Sequence, residues 1–150
     1  MSKWFECKAK FMRLTDDGTQ KKVSEPYMVD ALSFTEAEAR IIEELTPFVS
    51  DELIIDAVKK TNITEVFRDE RGDRWYKVKT NIITIDEKTG AEKRASVNSL
   101  VQASDFQGAV DNFMEAWKGT LADFEIFSVT ETAIMDVFDA KLGNLPEKAK

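Results

Sequence analysis

The sequence predicts an α+β fold made by tandem duplication of one ββαβ unit, because three segments recur at a nearly constant spacing of 71 or 72 residues. The first match pairs Trp4-Phe-Glu-Cys-Lys8 with Trp75-Tyr-Lys-Val-Lys79, so that an aromatic pair and a final lysine recur. The three matching pairs are segments 4–8 with 75–79, 29–37 with 101–109, and 58–67 with 129–138. A spacing that changes only between elements indicates a duplicated fold with one altered loop.

The first repeat, about residues 1–71, begins with a predicted hairpin. From Lys3 to Leu14 apolar and polar residues alternate, which indicates a strand with one buried face. Asp16-Asp17-Gly18 supplies a turn, since glycine adopts positive φ at no steric cost. The alternation resumes from Lys21 to Ala31 and predicts the second strand.

An amphipathic helix and one long strand complete the repeat. Ser33 or Thr35 with a glutamate three residues later predicts a capping box, and apolar residues then recur at helical spacing as far as Pro47. Residues 52–67 are rich in Ile, Val and Thr and predict a strand. The alternation changes phase at the lysines 59–60, where we expect a bend or bulge.

The second repeat, about residues 72–142, has the same order of elements. Its predicted elements are strands 74–85, 91–103 and 123–138 and a helix at 105–118. On this helix, Trp117 shares the apolar face and is expected in the core. The fold is therefore predicted to have six mainly antiparallel strands and two helices on one face, with pseudo-two-fold symmetry.

The two repeats are expected to form a single domain over residues 1–150. The connector 68–73 is too short for a flexible linker, and a repeat of about 70 residues with one helix would bury little apolar surface alone. We therefore expect the repeats to share one core. Residues 143–150 lack apolar periodicity and predict a frayed tail.

Several classes of chemistry lack the residues they need. The chain has no histidine, which removes the usual general base and the commonest metal ligand. It also has no phosphate-binding or dinucleotide-binding glycine motif and no cysteine-rich metal spacing. A magnesium site from Asp69, Glu70 and Asp73 is conceivable, but the neighbouring arginines favour a salt-bridged loop. We expect no enzyme activity, no cofactor and no metal.

Composition predicts a soluble cytoplasmic protein. One cysteine, Cys7, excludes an internal disulfide and is expected to be a buried small hydrophobe. No segment has the length and apolarity of an export signal or a membrane span. The formal charge of −7 at face value opposes binding to nucleic acid or acidic membranes.

This negative charge is unevenly distributed. The segments 3–14 and 74–85 each carry a net charge of +3, whereas both predicted helices are acidic. Because alternate strand residues take opposite faces, the basic residues and two tryptophans are predicted to lie on one face, away from the helices. The candidate binding residues are Trp4, Lys8, Lys10, Lys22, Trp75, Lys77, Lys79 and Arg94.

A basic face with exposed aromatic rings is typical of proteins that bind single strands, since cations contact phosphates while bases stack on rings at about 1–3 kcal/mol each. We therefore predict sequence-tolerant binding of single-stranded DNA or RNA, abolished without unfolding when both tryptophans become alanine. The alternative is a protein-interaction or homo-oligomerisation module. In a third interpretation the tryptophans are covered, and the lysines only keep the sheet soluble.

Four segments carry a family resemblance: Ser2–Cys7, Lys21–Tyr27, Val29–Arg40 and Leu100–Ala103. With them, nearly the whole chain resembles a family of domains of unknown function from gut bacteria of the Bacteroides type and their phages. The resemblance implies no catalytic residues. An origin in a phage or mobile element is compatible with single-strand binding in replication.

Overall fold

The computed structural model describes residues 3–139, and the tail expected at 143–150 lies outside them. The elements in chain order are β1 (Lys3–Leu14), β2 (Gln20–Ala31), α1 (Phe34–Leu45), a 3-10 turn (Thr46–Phe48), β3 (Ile54–Lys60), β4 (Ile63–Phe67), β5 (Arg74–Ile85), β6 (Glu92–Ala103), α2 (Phe106–Ala116), β7 (Asp123–Glu131) and β8 (Val137–Phe138). The α+β class is confirmed, with two helices and two mixed sheets of four strands each.

The chain divides into two compact units. Within the described residues, unit 1 comprises 3–61 with 134–139, and unit 2 comprises Asn62–Ala133. The sheet of unit 1 has the order β3-β1-β2-β8, and that of unit 2 has the order β4-β6-β5-β7. Each sheet is thus completed by a short parallel strand that the other half of the sequence supplies.

The prediction of six strands is wrong, because both long final strands are divided. Residues 52–67 form β3 and β4, and 123–138 form β7 and β8, with the two parts of each in different sheets. The break after β3 is made by Thr61, whose backbone N–H and Oγ1 both donate to the carbonyl of Trp4. Thr132 does the same to the carbonyl of Trp75 after β7. The predicted change of phase at residues 59–60 therefore lies at the end of β3, just before the chain leaves this sheet.

The two hairpins are regular and alike. β1 pairs with β2, and β5 with β6, each over twelve residues in antiparallel register. The pairing of β1 with β3 shifts register between Lys8 and Ala9, and that of β5 with β7 shifts between Lys79 and Thr80. The turn glycines Gly18 and Gly90 both have positive φ, as the turn chemistry predicts.

Each helix packs on the sheet of its own unit, so the predicted single layer with both helices on one face is replaced by two helix-on-sheet units. α1 begins at its N-cap Ser33, whose Oγ accepts from the backbone N–H of Glu36. α2 begins at Asp105, whose carboxylate accepts from the N–H of Gly108. These caps satisfy backbone donors that have no partner within the helix.

Each unit has its own hydrophobic cluster between helix and sheet. In unit 1 the buried cluster consists of Phe5, Cys7, Ala9, Phe11, Tyr27, Val29, Ala31, Ala37, Ile41 and Leu45. In unit 2 it consists of Tyr76, Val78, Val101, Ala103, Ala109, Phe113 and Trp117. Trp117 is therefore a core residue, as predicted. Cys7 is fully buried, and burial raises the pKa of its thiol to about 11, so the expectation of a structural cysteine is confirmed.

Gly72, just before β5, lies against the end of β6. A Cβ added at residue 72 would lie 2.4 Å from the carbonyl carbon of Ala103, which is less than any normal contact. Because the atoms it meets are backbone, we expect Gly72→Ala to lower the free energy of unfolding by about 1–3 kcal/mol or more. Chemical denaturation measures this loss. Asp73→Ala, at the exposed neighbouring residue, should stay near wild type, and equal stabilities of the two variants would contradict the prediction.

Candidate functional site

The face of each sheet that is turned away from its helix, here called the far face, carries the predicted binding residues. In β1 the residues that alternate with the buried Phe5, Cys7, Ala9 and Phe11 are Trp4, Glu6, Lys8 and Lys10. Alternation thus placed the lysines of this strand on the correct face. Their exposure and ion pairing differ between the two units.

The far face of unit 1 brings three predicted lysines together. Lys8 and Lys10 are alternate residues of β1, and Lys22 in β2 pairs with Met12, one step along the same face. Lys8 and Lys22 are exposed, and neither forms an ion pair with another residue of 3–139. Lys10 is half-buried, with its Nζ 3.6 Å from Asp56 Oδ1. Two of the three ammonium groups are therefore available to an anionic ligand.

The two predicted tryptophans have different environments. Trp4 is half-buried, whereas Trp75 is only 2% exposed, with the guanidinium carbon of Arg68 5.9 Å from the centroid of its ring. A base cannot stack on a ring that is buried in this way. The prediction of an exposed ring at residue 75 is therefore wrong, and the third interpretation holds for this residue.

Phe127 is an exposed aromatic ring on β7 of unit 2 that the sequence pattern did not predict. Its side chain is 64% exposed, and the Nζ of Lys79 lies 4.8 Å from the ring centroid. Phe127 falls where the β5–β7 pairing shifts register, between the partners of Thr80 and Lys79. Such a bulge interrupts the alternation: Phe124, Ile126 and Val129 all pack on the helix side, so the period-two pattern gives opposite faces for Phe127 from its two ends. The adjacent apolar pair Ile126-Phe127 was the available signal.

The remaining predicted cations of unit 2 differ in availability. Lys77 is half-buried, in register with Leu100 of β6. Arg94 is exposed but engaged, since its guanidinium contacts Glu125 and lies 3.7 Å from Glu92. Arg94 therefore contributes little net positive charge to this face.

The connector 68–73 forms a salt-bridged loop, which is the arrangement that the neighbouring arginines favour over a magnesium site. The carboxylate of Asp69 accepts hydrogen bonds from the side chain and backbone of Arg71 and from Asn112 Nδ2. The Arg71 side chain is the main reason that the pKa of Asp69 is lowered to about 2. Among residues 3–139, no group of three or more acidic or cysteine side chains has an arrangement that could hold a metal ion.

Comparison with known proteins identifies a family but no characterised relative. The family described as "Domain of unknown function (DUF4494)" matches residues 3–140. No curated protein and no solved structure matches the chain. Over the described residues, neither helix has the length and apolarity needed to cross a membrane.

Proposed function

The chain belongs to the DUF4494 family of domains of unknown function, and we propose that it is a non-enzymatic protein that binds single-stranded nucleic acid through the far faces of its sheets. The observation that carries the proposal is the pair formed by the exposed Phe127 ring and the ammonium group of Lys79. A ring and a cation on one face can hold a base and its neighbouring phosphate.

The lysines of unit 1 support the same proposal. Lys8 and Lys22 are exposed cations on one strand pair, and Lys10 adds a third charge beside Asp56. Phosphate contacts of this kind require no base specificity, which fits sequence-tolerant binding. The acidic residues of α1 are on a different element, so the net charge of −7 does not prevent local attraction of an anion.

The site is revised from the one that the sequence predicts. Phe127 replaces Trp75 as the stacking ring, and Arg94 is removed because Glu92 and Glu125 engage it. The proposed binding residues are now Trp4, Lys8, Lys10 and Lys22 in unit 1 and Lys77, Lys79 and Phe127 in unit 2. Each unit has its own proposed binding surface.

Fluorescence anisotropy of a labelled oligo-dT at low and high salt tests the proposal. We expect binding at micromolar protein that weakens steeply with salt, since released counterions drive phosphate contacts. Phe127→Ala should weaken binding by about tenfold, because stacking on an aromatic ring contributes about 1–3 kcal/mol per base. The fold should survive, since this ring is mostly exposed.

Phe106→Ala is the matched control, because Phe106 is similarly exposed in the same unit but begins α2. It should bind oligo-dT as the wild type does. Absence of binding at low salt, or equal affinity of the Phe127→Ala variant and the wild type, would overturn the proposal. The protein-interaction alternative would then be preferred, and sedimentation at high salt would test it through self-association.

We further infer that the two halves arose by tandem duplication. The matched caps at Ser33 and Asp105, the matched register shifts and the equivalent hydrogen bonds of Thr61 and Thr132 support this origin. A pseudo-two-fold relation, a single cooperative domain, a cytoplasmic location and an origin in Bacteroides-type bacteria or their phages remain part of the proposal.

A further inference from the structure

Unit 1 contains a cavity of about 450 Å³ beside the C-terminal end of α1. Four aromatic rings line it, those of Phe11, Tyr27, Phe48 and Phe138. The lining also includes Leu45 of α1, the carboxylates of Glu44 and Asp136, and the guanidinium of Arg13. Cavities that bind small molecules have volumes of about 300–1,000 Å³ and are mostly apolar with a few polar groups. This cavity therefore has the size and lining of a small-molecule site.

In unit 2 the side chain of Trp117 lies at the position that corresponds to this cavity. Trp117 follows the N-cap of α2 by the same number of residues as Leu45 follows that of α1. Its ring is 8% exposed and lies 4.9 Å, between centroids, from both Phe113 and Phe124. The indole Nε1 donates to Glu65 Oε1 at 3.0 Å. In unit 2 an indole ring with a carboxylate acceptor thus occupies this position.

Unit 1 retains the acceptor but not the indole. Asp136 directly precedes Val137, which pairs with Met28 of β2. In unit 2, Glu65 directly precedes Val66, which pairs with Leu100, the residue of β6 that corresponds to Met28. Leu45 replaces the indole with a smaller side chain. Tyr27 fills part of the space, and its ring stacks on Phe138 at 5.9 Å and 17°, which leaves a flat aromatic wall.

Of the two carboxylates that line the cavity, Asp136 is the one that forms no ion pair with another residue of 3–139. The Tyr27 hydroxyl donates to Glu25 at 2.8 Å, and the guanidinium of Arg13 contacts the same Glu25 oxygen at 2.5 Å. Glu44 is paired with Arg40 at 3.2 Å. Asp136 Oδ1 accepts the N–H of Val137, and no hydrogen bond or ion pair within 3–139 uses Oδ2. A ligand donor can bind there.

We propose that this cavity binds a planar aromatic ligand with a single N–H donor, of the size of an indole ring. The ring packs against Tyr27, Phe48 and Phe138, and its N–H donates to the carboxylate of Asp136. The proposal is independent of nucleic-acid binding, since none of these side chains belongs to the proposed nucleic-acid surfaces.

Titration of the full chain with indole, followed by ¹H–¹⁵N NMR, tests the proposal. We expect saturable shifts at Tyr27, Leu45 and Phe48. Binding of 1-methylindole, which lacks the N–H, should be about tenfold weaker, as expected for a lost hydrogen bond to a charged acceptor. A capped Gly-Trp-Gly peptide distinguishes the two sources of the ring: binding by it would extend the site to tryptophan side chains, and exclusion would restrict the site to free ligands.

Two variants and one control complete the experiment. Leu45→Trp installs the indole of unit 2, and we expect it to abolish indole binding and raise the thermal midpoint. Ile42→Trp adds an indole on an exposed position of the same helix and should bind indole normally. Asp136→Ala should bring the affinities for indole and 1-methylindole to within about twofold. That variant also tests the proposal if Leu45→Trp does not fold.

Three results with indole and 1-methylindole would overturn the proposal. They are absence of shifts with millimolar indole, unchanged indole binding by folded Leu45→Trp, and equal affinity of the wild type for indole and 1-methylindole. Tighter binding of tetramethylammonium than of indole would also overturn it, because that result would assign the rings and carboxylate to a cation instead.

Discussion

Replacement of Trp75 by alanine is expected to lower the free energy of unfolding by about 3–5 kcal/mol. The side chain is 2% exposed and is the largest of the fully buried side chains. Its removal takes apolar surface out of the interior and leaves a cavity that the regular β5–β6 pairing cannot close. Urea denaturation followed by far-UV circular dichroism measures the loss. A variant with both tryptophans replaced by alanine is therefore expected to be destabilised, contrary to the expectation from the sequence.

Trp4→Ala is the matched control for Trp75→Ala. The two residues have the same place in their strands, and the carbonyl of each accepts two hydrogen bonds from one threonine. They differ in burial, since Trp4 is half-buried. We expect Trp4→Ala to cost less than half as much as Trp75→Ala. Equal losses, or a Trp75→Ala variant within about 1 kcal/mol of wild type, would contradict the assignment of Trp75 to the interior.

Elements that depend on local pattern could be predicted from the sequence. The boundaries of β1 and β5 agree with the predicted segments Lys3–Leu14 and 74–85, because the alternation is unbroken there. The helix starts were predictable because Ser33 and Asp105 supply caps from their own side chains. Periodicity and capping are properties of neighbouring residues and need no knowledge of the partner strand.

The division of the last strand in each repeat could not be predicted in the same way. Ile63 to Phe67 has the β-branched and aromatic composition of a strand whichever sheet it joins. Its pairing with β6 is set by contacts with residues more than thirty positions away. A change of phase in the alternation shows that a strand is interrupted, but it does not show whether the chain bulges or moves to another sheet.

The candidate site was predicted in part for a related reason. Alternation assigns a side chain to one face of a sheet, and it did so correctly for Lys8 and Lys10. It does not show whether other residues cover that face, so the burial of Trp75 was not predictable. It also fails at a bulge, which is why Phe127 was missed and Lys79 was not recognised as its partner.

Replacement of Val137 by lysine is expected to lower the stability of unit 1 by about 3 kcal/mol or more. Val137 is 3% exposed in β8, so the variant must either bury an unpaired ammonium group or release the strand from β2. Release would also separate the Phe138 ring from Tyr27. Chemical denaturation measures the loss of stability, and hydrogen exchange shows where the structure opens.

The amide of Met28 is the specific probe, because it donates to the carbonyl of Asp136 at 3.0 Å. Its exchange should accelerate strongly in Val137→Lys. Met135→Lys is the matched control, since Met135 lies two residues earlier with a side chain that is 50% exposed. It should leave both stability and Met28 protection near wild type. If the Met28 amide stays protected from exchange in Val137→Lys, the prediction is contradicted. The sheet of unit 1 would then be stable without β8 at its edge.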